Sequence, residues 1–116
     1  MNIDAVLEGL VQYGEDDWIP LWVIAQDVEE LLGMEDPNEN LEVTVALVKA
    51  LLKHGFRAGE SPLGSAAHFV EWPDQDPEAV AHLIRRQWKQ RGTLPGWGDC
   101  PWFARPTRAR AGQWLS

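Results

Sequence analysis

The chain has one cysteine, no long apolar run and, in its first forty-eight residues, no lysine or arginine. The single cysteine, Cys100, excludes an internal disulfide and favours a reducing compartment. No stretch approaches the roughly 20 consecutive apolar residues that a membrane-spanning helix requires. The first residues also lack the basic and apolar regions of a signal peptide, so we expect cytoplasmic residence and no membrane partner.

Charge is distributed unevenly along the 116 residues. The first forty-eight contain twelve acidic side chains, whereas the stretch from Arg85 to Ser116 contains seven basic residues and one acid, Asp99. The formal net charge of −8 argues against a nucleic-acid binder, since such proteins neutralise phosphates with lysine and arginine. Because a field of one sign attracts partners of the other, the pattern favours a basic protein partner.

The length and an apolar content of 45% are sufficient for one domain with its own core. We divide the chain into an acidic three-helix part (1–54), a hairpin (55–72) and a fourth helix with a basic C-terminal segment (73–116). The pattern therefore predicts a mainly helical α+β fold.

Three helices are predicted in the acidic part. Apolar residues at three- and four-residue steps favour a first helix near residues 3–13, ended by Gly14: Ile3, Val6, Leu7, Leu10 and Val11. After an extended piece at residues 18–20, a second helix ends at Gly33 and buries Leu21, Ile24, Ala25, Val28, Leu31 and Leu32. Asp36, Pro37 and Glu39 form the start signal of a third helix, whose buried face is Leu41, Leu47, Val45, Val48, Leu51 and Leu52.

The pattern changes after residue 55. Two short strands, 56–60 and 68–72, are predicted to form a hairpin. The run from Pro73 to Glu78 caps a fourth helix, which ends at Gly92 and buries Val80, Leu83, Ile84 and Trp88. Residues 102–104 favour a third strand, and Thr107 favours a last short helix reaching Trp114.

This order of elements resembles the winged-helix fold. Trp18, Ile19, Pro20 and Leu21, followed by the capped helix at Asp36, resemble that fold's entry into its helix-turn-helix pair, over residues 3–72. The resemblance implies a DNA-binding regulator that contacts DNA with Lys49, Lys53 and Arg57, with the tail arginines as further candidates. Against that, the helix that would read DNA begins with Asp36, Glu39 and Glu42, which phosphates repel.

The acidic first half also resembles, as a class, the immunity proteins of bacterial toxin systems. Such proteins are compact and present carboxylates to a basic toxin. The resemblance implies a non-enzymatic inhibitor whose partner-binding residues are Glu15, Asp16, Asp17, Trp18, Trp22, Glu35, Asp36, Glu39 and Glu42.

No residue pattern specifies a reaction, a metal or a cofactor. Cys100 lies beside Asp99, which raises a thiol's pKa and disfavours a nucleophile. His54, His68 and His82 are spaced too widely for a zinc motif. A set of Ser61 or Ser65 with His68 and Glu71 lacks the surroundings of a hydrolase nucleophile, so we interpret it as coincidence.

Seven tryptophans are too many for a protein of this size to enclose fully. We assign Trp72 and Trp88 to the core, whereas Trp18, Trp22 and Trp97 either contact a partner or pack under a loop. Three late arginines either bind nucleic acid or, as we favour, pair with the acidic half of the same or another copy of the chain: Arg105, Arg108 and Arg110.

Overall fold

The computed structural model describes residues 2–60, 69–92 and 101–106. Within them it contains four helices, α1 (Ile3–Asp16), α2 (Leu21–Leu32), α3 (Pro37–Lys53) and α4 (Pro77–Arg91). It also contains four short strands, β1 (Ile19–Pro20), β2 (Arg57–Glu60), β3 (Val70–Glu71) and β4 (Trp102–Ala104). The prediction of a mainly helical α+β fold is confirmed. The predicted helix from Thr107 lies outside the described residues.

The helix starts follow local capping chemistry. Asp36 and Asp76 accept hydrogen bonds from the backbone N–H groups three residues later, and a proline occupies the first turn of α3 and of α4. Gly33 and Gly92 end α2 and α4 in the left-handed conformation that glycine adopts without strain. The predicted bounds of α2, α3 and α4 are therefore close to the observed ones.

Gly14 does not end α1, and that prediction is wrong. The helix continues to Asp16, and Gly14 is buried within it. A Cβ atom at this position would overlap the ring of Phe56 and touch the side chain of Ile19. Glycine is present because α1 approaches the residue before β2 closely, a requirement that acts between distant parts of the chain.

α3 is the central helix. It packs against α1, α2 and α4, and its contact with α4 is the most extensive between any two elements. α3 therefore lies between the acidic pair α1–α2 and the more basic helix α4. Most of its circumference is buried, and its exposed stripe includes Glu39, Glu42 and Ala46.

The four strands form an antiparallel sheet in the order β1-β4-β2-β3. β4 supplies Phe103 opposite both Ile19 of β1 and Ala58 of β2. A strand from the C-terminal part of the chain thus separates β1 from the β2–β3 hairpin. The winged-helix resemblance is not confirmed and stays a prediction.

The core is largely the one that periodicity predicts, with exceptions at the edges. The sequence pattern placed three residues on buried helix faces that are in fact exposed, Ile3, Leu31 and Leu83. Each lies at the edge of the apolar face of its helix. Two polar side chains, Asn40 and Thr44, are fully buried instead. Asn40 donates to the carbonyl oxygens of residues 25 and 34 at 3.0 Å and accepts from the Thr44 hydroxyl at 2.8 Å, which fixes the turn between α2 and α3.

Candidate partner-binding surface

The acidic residues of the predicted surface are all exposed. They occupy two places: Glu15, Asp16 and Asp17 at the end of α1, and Glu35, Asp36, Glu39 and Glu42 around the start of α3. No hydrogen bond or ion pair between the two groups is found in the described part of the chain. The two groups therefore contribute charge to one half of the molecule without forming a single joined cluster.

Two of these carboxylates already have basic partners. Glu15 accepts from Nη2 of Arg105 at 2.9 Å, and Glu42 binds Arg85 through both carboxylate oxygens at 3.2 and 3.3 Å. Both contacts join residues that are far apart in sequence. Glu15 and Glu42 therefore serve the fold, and their charge is partly neutralised before any partner arrives.

Arg105 makes three contacts with one guanidinium group. Besides Glu15, it donates from Nη1 to the backbone oxygen of His54 at 2.6 Å, at the C-terminal end of α3, and its guanidinium carbon lies 4.2 Å from the ring centroid of Phe56. This arrangement confirms, for Arg105, that a late arginine pairs with the acidic half. Arg108 and Arg110 lie outside the described residues.

Asp17 and Asp36 have structural tasks as well. Asp17 accepts from its neighbour's backbone N–H, that of Trp18, at 2.8 Å, and Asp36 caps α3 by accepting from the N–H of Glu39 at 3.1 Å. A capping carboxylate keeps its negative charge and so still contributes to the surface field. Substituting it would, however, disturb the helix end and the surface together.

The remaining acids of the first half carry charge that no basic side chain offsets within the described residues. They lie on α1, on α2 and just before or within the first turn of α3, and comprise Asp4, Glu8, Asp16, Asp27, Glu29, Glu30, Glu35 and Glu39. All are exposed except Asp27 and Glu29, which are half-buried. We call this set, together with Asp17 and Asp36, the acidic surface.

An aromatic residue, Tyr13, lies at the seam of α1 and α2 within this surface. Its side chain is 42% exposed, and its pKa is raised by burial and then by the negative charges of Asp17 and Asp27. Burial also raises the pKa of Asp27, with a second contribution from Glu30. The negative charges of Asp17 and Asp27 thus both act on the phenol, and a cation placed there would offset them.

Sequence reasoning missed both Tyr13 and Asp27. Tyr13 lies off the apolar stripe that defines the buried face of α1, so the same argument that singled out Trp22 could have found it. Asp27 had no such signal, because its place beside Tyr13 depends on how α2 packs against α1.

Trp18 is part of the core, so its assignment as a partner contact is corrected. Only 6% of it is exposed, and its ring lies 5.1 Å from that of Phe69 and 5.9 Å, edge to face, from that of Trp102. Sheet formation explains this burial, because β1 brings Trp18 beside β4 and the residue that precedes β3. These three rings form a small second core with Ala104.

Trp22 is half-buried in α2, and Trp97 lies outside the described residues. The indole Nε1 of Trp22 is buried, and no described residue forms a hydrogen bond with it. Half-burial leaves both sequence-based alternatives for Trp22, a partner contact or packing under a loop, as predictions.

The basic residues assigned to the DNA-binding alternative are mostly engaged. Lys49 binds Glu78 at 2.8 Å, and this hydrogen bond is the main reason why the pKa of Glu78 is lowered. Arg57 binds Glu71 at 3.3 Å through two nitrogen atoms. Lys53 remains exposed at the end of α3.

The described residues contain no group of three histidine, cysteine or acidic side chains that could hold a metal ion. His54, directly after α3, and His82, within α4, are both exposed. Cys100, His68, Ser61 and Ser65 lie outside the described residues. Among the helices of the described part, none is both long enough and apolar enough to cross a membrane.

The described residues therefore present, on one half of the molecule, carboxylates that have no basic partner among these residues, together with an accessible tyrosine and a half-buried tryptophan. Comparisons with protein-family models, with curated proteins and with solved structures found no match.

Proposed function

We propose that the protein is a non-enzymatic, cytoplasmic inhibitor, of the kind found as immunity proteins, that binds a basic protein partner through the acidic surface of α1 and α2. The observation that carries the proposal is the segregation of charge in the folded chain. Apart from Glu15 and Glu42, the acids of the first half form no ion pair with a described basic side chain, whereas Lys49, Arg57, Arg85 and Arg105 are held in ion pairs.

Such a surface suits rapid and selective association with a cationic partner. Carboxylates at the rim accelerate encounter by steering, and partly exposed aromatic side chains supply contact area with few rotatable bonds. Tyr13 and the accessible part of Trp22 are the aromatic groups that we assign to this role. Glu15 and Glu42 are left out of the contact because Arg105 and Arg85 already bind them.

The alternative, a winged-helix regulator that binds DNA, is less well supported. Two of the three basic residues assigned to it are in ion pairs, and the exposed stripe of α3 offers Glu39 and Glu42 instead of groups that bind bases. A mobility-shift titration at low salt separates the two functions. Retardation of duplex DNA at submicromolar protein, lost when Lys49, Lys53 and Arg57 are changed to alanine, would favour the regulator.

The test of the proposal compares charge on the two sides of α3. A tagged protein is used to recover its partner, and association rates are then measured at several salt concentrations. In the test variant, Asp16→Asn and Glu30→Gln remove two exposed acids from the acidic surface. In the control variant, His82→Lys and Gln90→Lys change the net charge by the same amount on α4, where both side chains are exposed.

We expect the test variant to associate roughly threefold or more slowly at low ionic strength, with the difference disappearing at high salt, because screening removes steering. The control variant should associate at nearly the parental rate. The proposal would be refuted if the recovered partner is acidic. It would also be refuted if the association rate differs from the parental rate for the α4 variant but not for the variant of the acidic surface.

A further inference from the structure

A groove of about 400 Å³ lies apart from the acidic surface, between the end of β2, the residues that follow β3, and α4. Its described lining residues are Glu60, Trp72, Pro73, Asp74, Leu83 and Gln87. Leu83 is 37% exposed here, although its place in the helical pattern predicted burial. An accessible leucine beside a half-buried tryptophan leaves an apolar wall open to an incoming side chain.

The wall formed by Trp72 is held in position. Its backbone N–H donates to the carbonyl oxygen of Ala58 at 2.9 Å. The side-chain amide of Gln75 accepts from the N–H of Ala58 and donates to its carbonyl, both at 2.7 Å, and also donates to the carbonyl of Trp72 at 2.9 Å. Gln75 thus continues the pairing of β2 beyond the end of β3, so the groove is formed before any ligand binds.

The polar groups of the groove are acidic. Glu60 and Asp74 form no ion pair with a described residue, and no described basic side chain lines the groove. Asp74 is oriented by accepting from the backbone N–H of Asp76 at 2.9 Å. Apolar walls with carboxylates at the edge match a side chain that has an aliphatic stem and a cationic end.

We propose that this groove binds an arginine side chain of the protein partner, with the guanidinium against Trp72 and paired with Glu60 or Asp74. Arginine suits the site better than lysine because its planar guanidinium stacks on an indole and forms two parallel hydrogen bonds with a carboxylate. The identity of the partner as a basic protein rests on the proposed function, whereas the chemistry of the groove does not.

The test uses the peptide acetyl-Gly-Arg-Gly-amide and follows backbone and indole N–H signals by two-dimensional NMR. The indole signal of Trp72 is assigned by its absence in Trp72→Phe. We expect a saturable shift of this signal with a Kd of about 1–10 mM, the range open to one side chain. The same peptide with citrulline, a neutral arginine isostere, should give no saturable shift, and the lysine peptide should bind several-fold more weakly.

The double variant Glu60→Gln, Asp74→Asn keeps the shape of the groove and the acceptor for Asp76, and we expect it to weaken arginine-peptide binding fivefold or more. The variant Asp16→Asn, Glu30→Gln serves as the control, because both substitutions lie outside the groove. Equal shifts with arginine and citrulline, or binding unaffected by the groove variant, would overturn the assignment.

The two proposals can fail separately. If the arginine peptide does not bind but the partner's association still depends on Asp16 and Glu30, the groove assignment is wrong and the inhibitor proposal stands. If the peptide binds the groove and the recovered partner responds to Glu60→Gln, Asp74→Asn but not to Asp16→Asn, Glu30→Gln, the groove assignment stands and the acidic surface is refuted as the interface.

Discussion

Trp18→Ala distinguishes a core tryptophan from a partner-binding one. Trp18 is 6% exposed and packs against Phe69 and Trp102 at ring distances of 5.1 and 5.9 Å. Truncating a buried tryptophan costs about 3–5 kcal/mol through lost burial and the cavity left behind. Each of the two aromatic pairs accounts for about 0.5–1.5 kcal/mol beyond the burial of area. The range for truncating a buried tryptophan already contains such aromatic contacts, so we expect a loss of about 4 kcal/mol, the middle of that range.

Urea unfolding followed by circular dichroism measures this loss. With a slope of about 2 kcal/mol/M, a loss of about 4 kcal/mol lowers the midpoint by about 2 M. Trp18→Phe is the matched control, since it keeps an aromatic ring against Phe69 and Trp102 and should lose less than half as much. A midpoint within about 0.5 M of the parent for Trp18→Ala would refute the packing argument and return Trp18 to the list of partner contacts.

Two further substitutions test the packing and the electrostatics of the acidic helices. Gly14→Ala should destabilise the protein by about 1–3 kcal/mol, because the added Cβ would overlap Phe56. Gly9→Ala in the same helix has open space around it and should stabilise the protein by up to about 1 kcal/mol. The urea midpoints of the two variants are compared with that of the parent. Asp27→Asn should raise stability at pH 7 and make no difference near pH 3. Because the pKa of Asp27 is raised in the folded state, its contribution to stability is fully present below the pKa of the unfolded chain, about 3.9. That contribution is lost as the pH rises through the pKa of the folded state. Equal midpoints of parent and Asp27→Asn at pH 7 would contradict this sign.

The sequence was sufficient for elements whose signals are local. Asp36 and Asp76 begin their helices with a capping carboxylate followed by proline, and Gly33 and Gly92 end theirs in a conformation that favours glycine. These interactions involve residues only a few positions apart, so the chain specifies them before any tertiary contact forms.

The features that sequence reasoning missed depend on contacts between distant parts of the chain. Gly14 looked like a helix end because nothing nearby reveals that Phe56 packs against it. Trp18 looked accessible beside its acidic neighbours because its burial requires Trp102, more than eighty residues later, to pair within the same sheet. Tyr13 was the exception, since its place off the apolar stripe of α1 was available in the sequence.

The same long-range contacts also sharpen the charge asymmetry that the sequence suggested. Arg105 and Arg85 reach across the fold to bind Glu15 and Glu42, so their positive charge is partly neutralised. Burial raises the pKa of Asp27, and the negative charge of Glu30 raises it further, so ionised Asp27 costs the free chain stability. A cationic partner would offset these negative charges and bind only the folded state, so binding and stability become linked. Ionised Asp27 thus costs the free chain stability and also adds to the negative charge that makes association with a basic protein favourable.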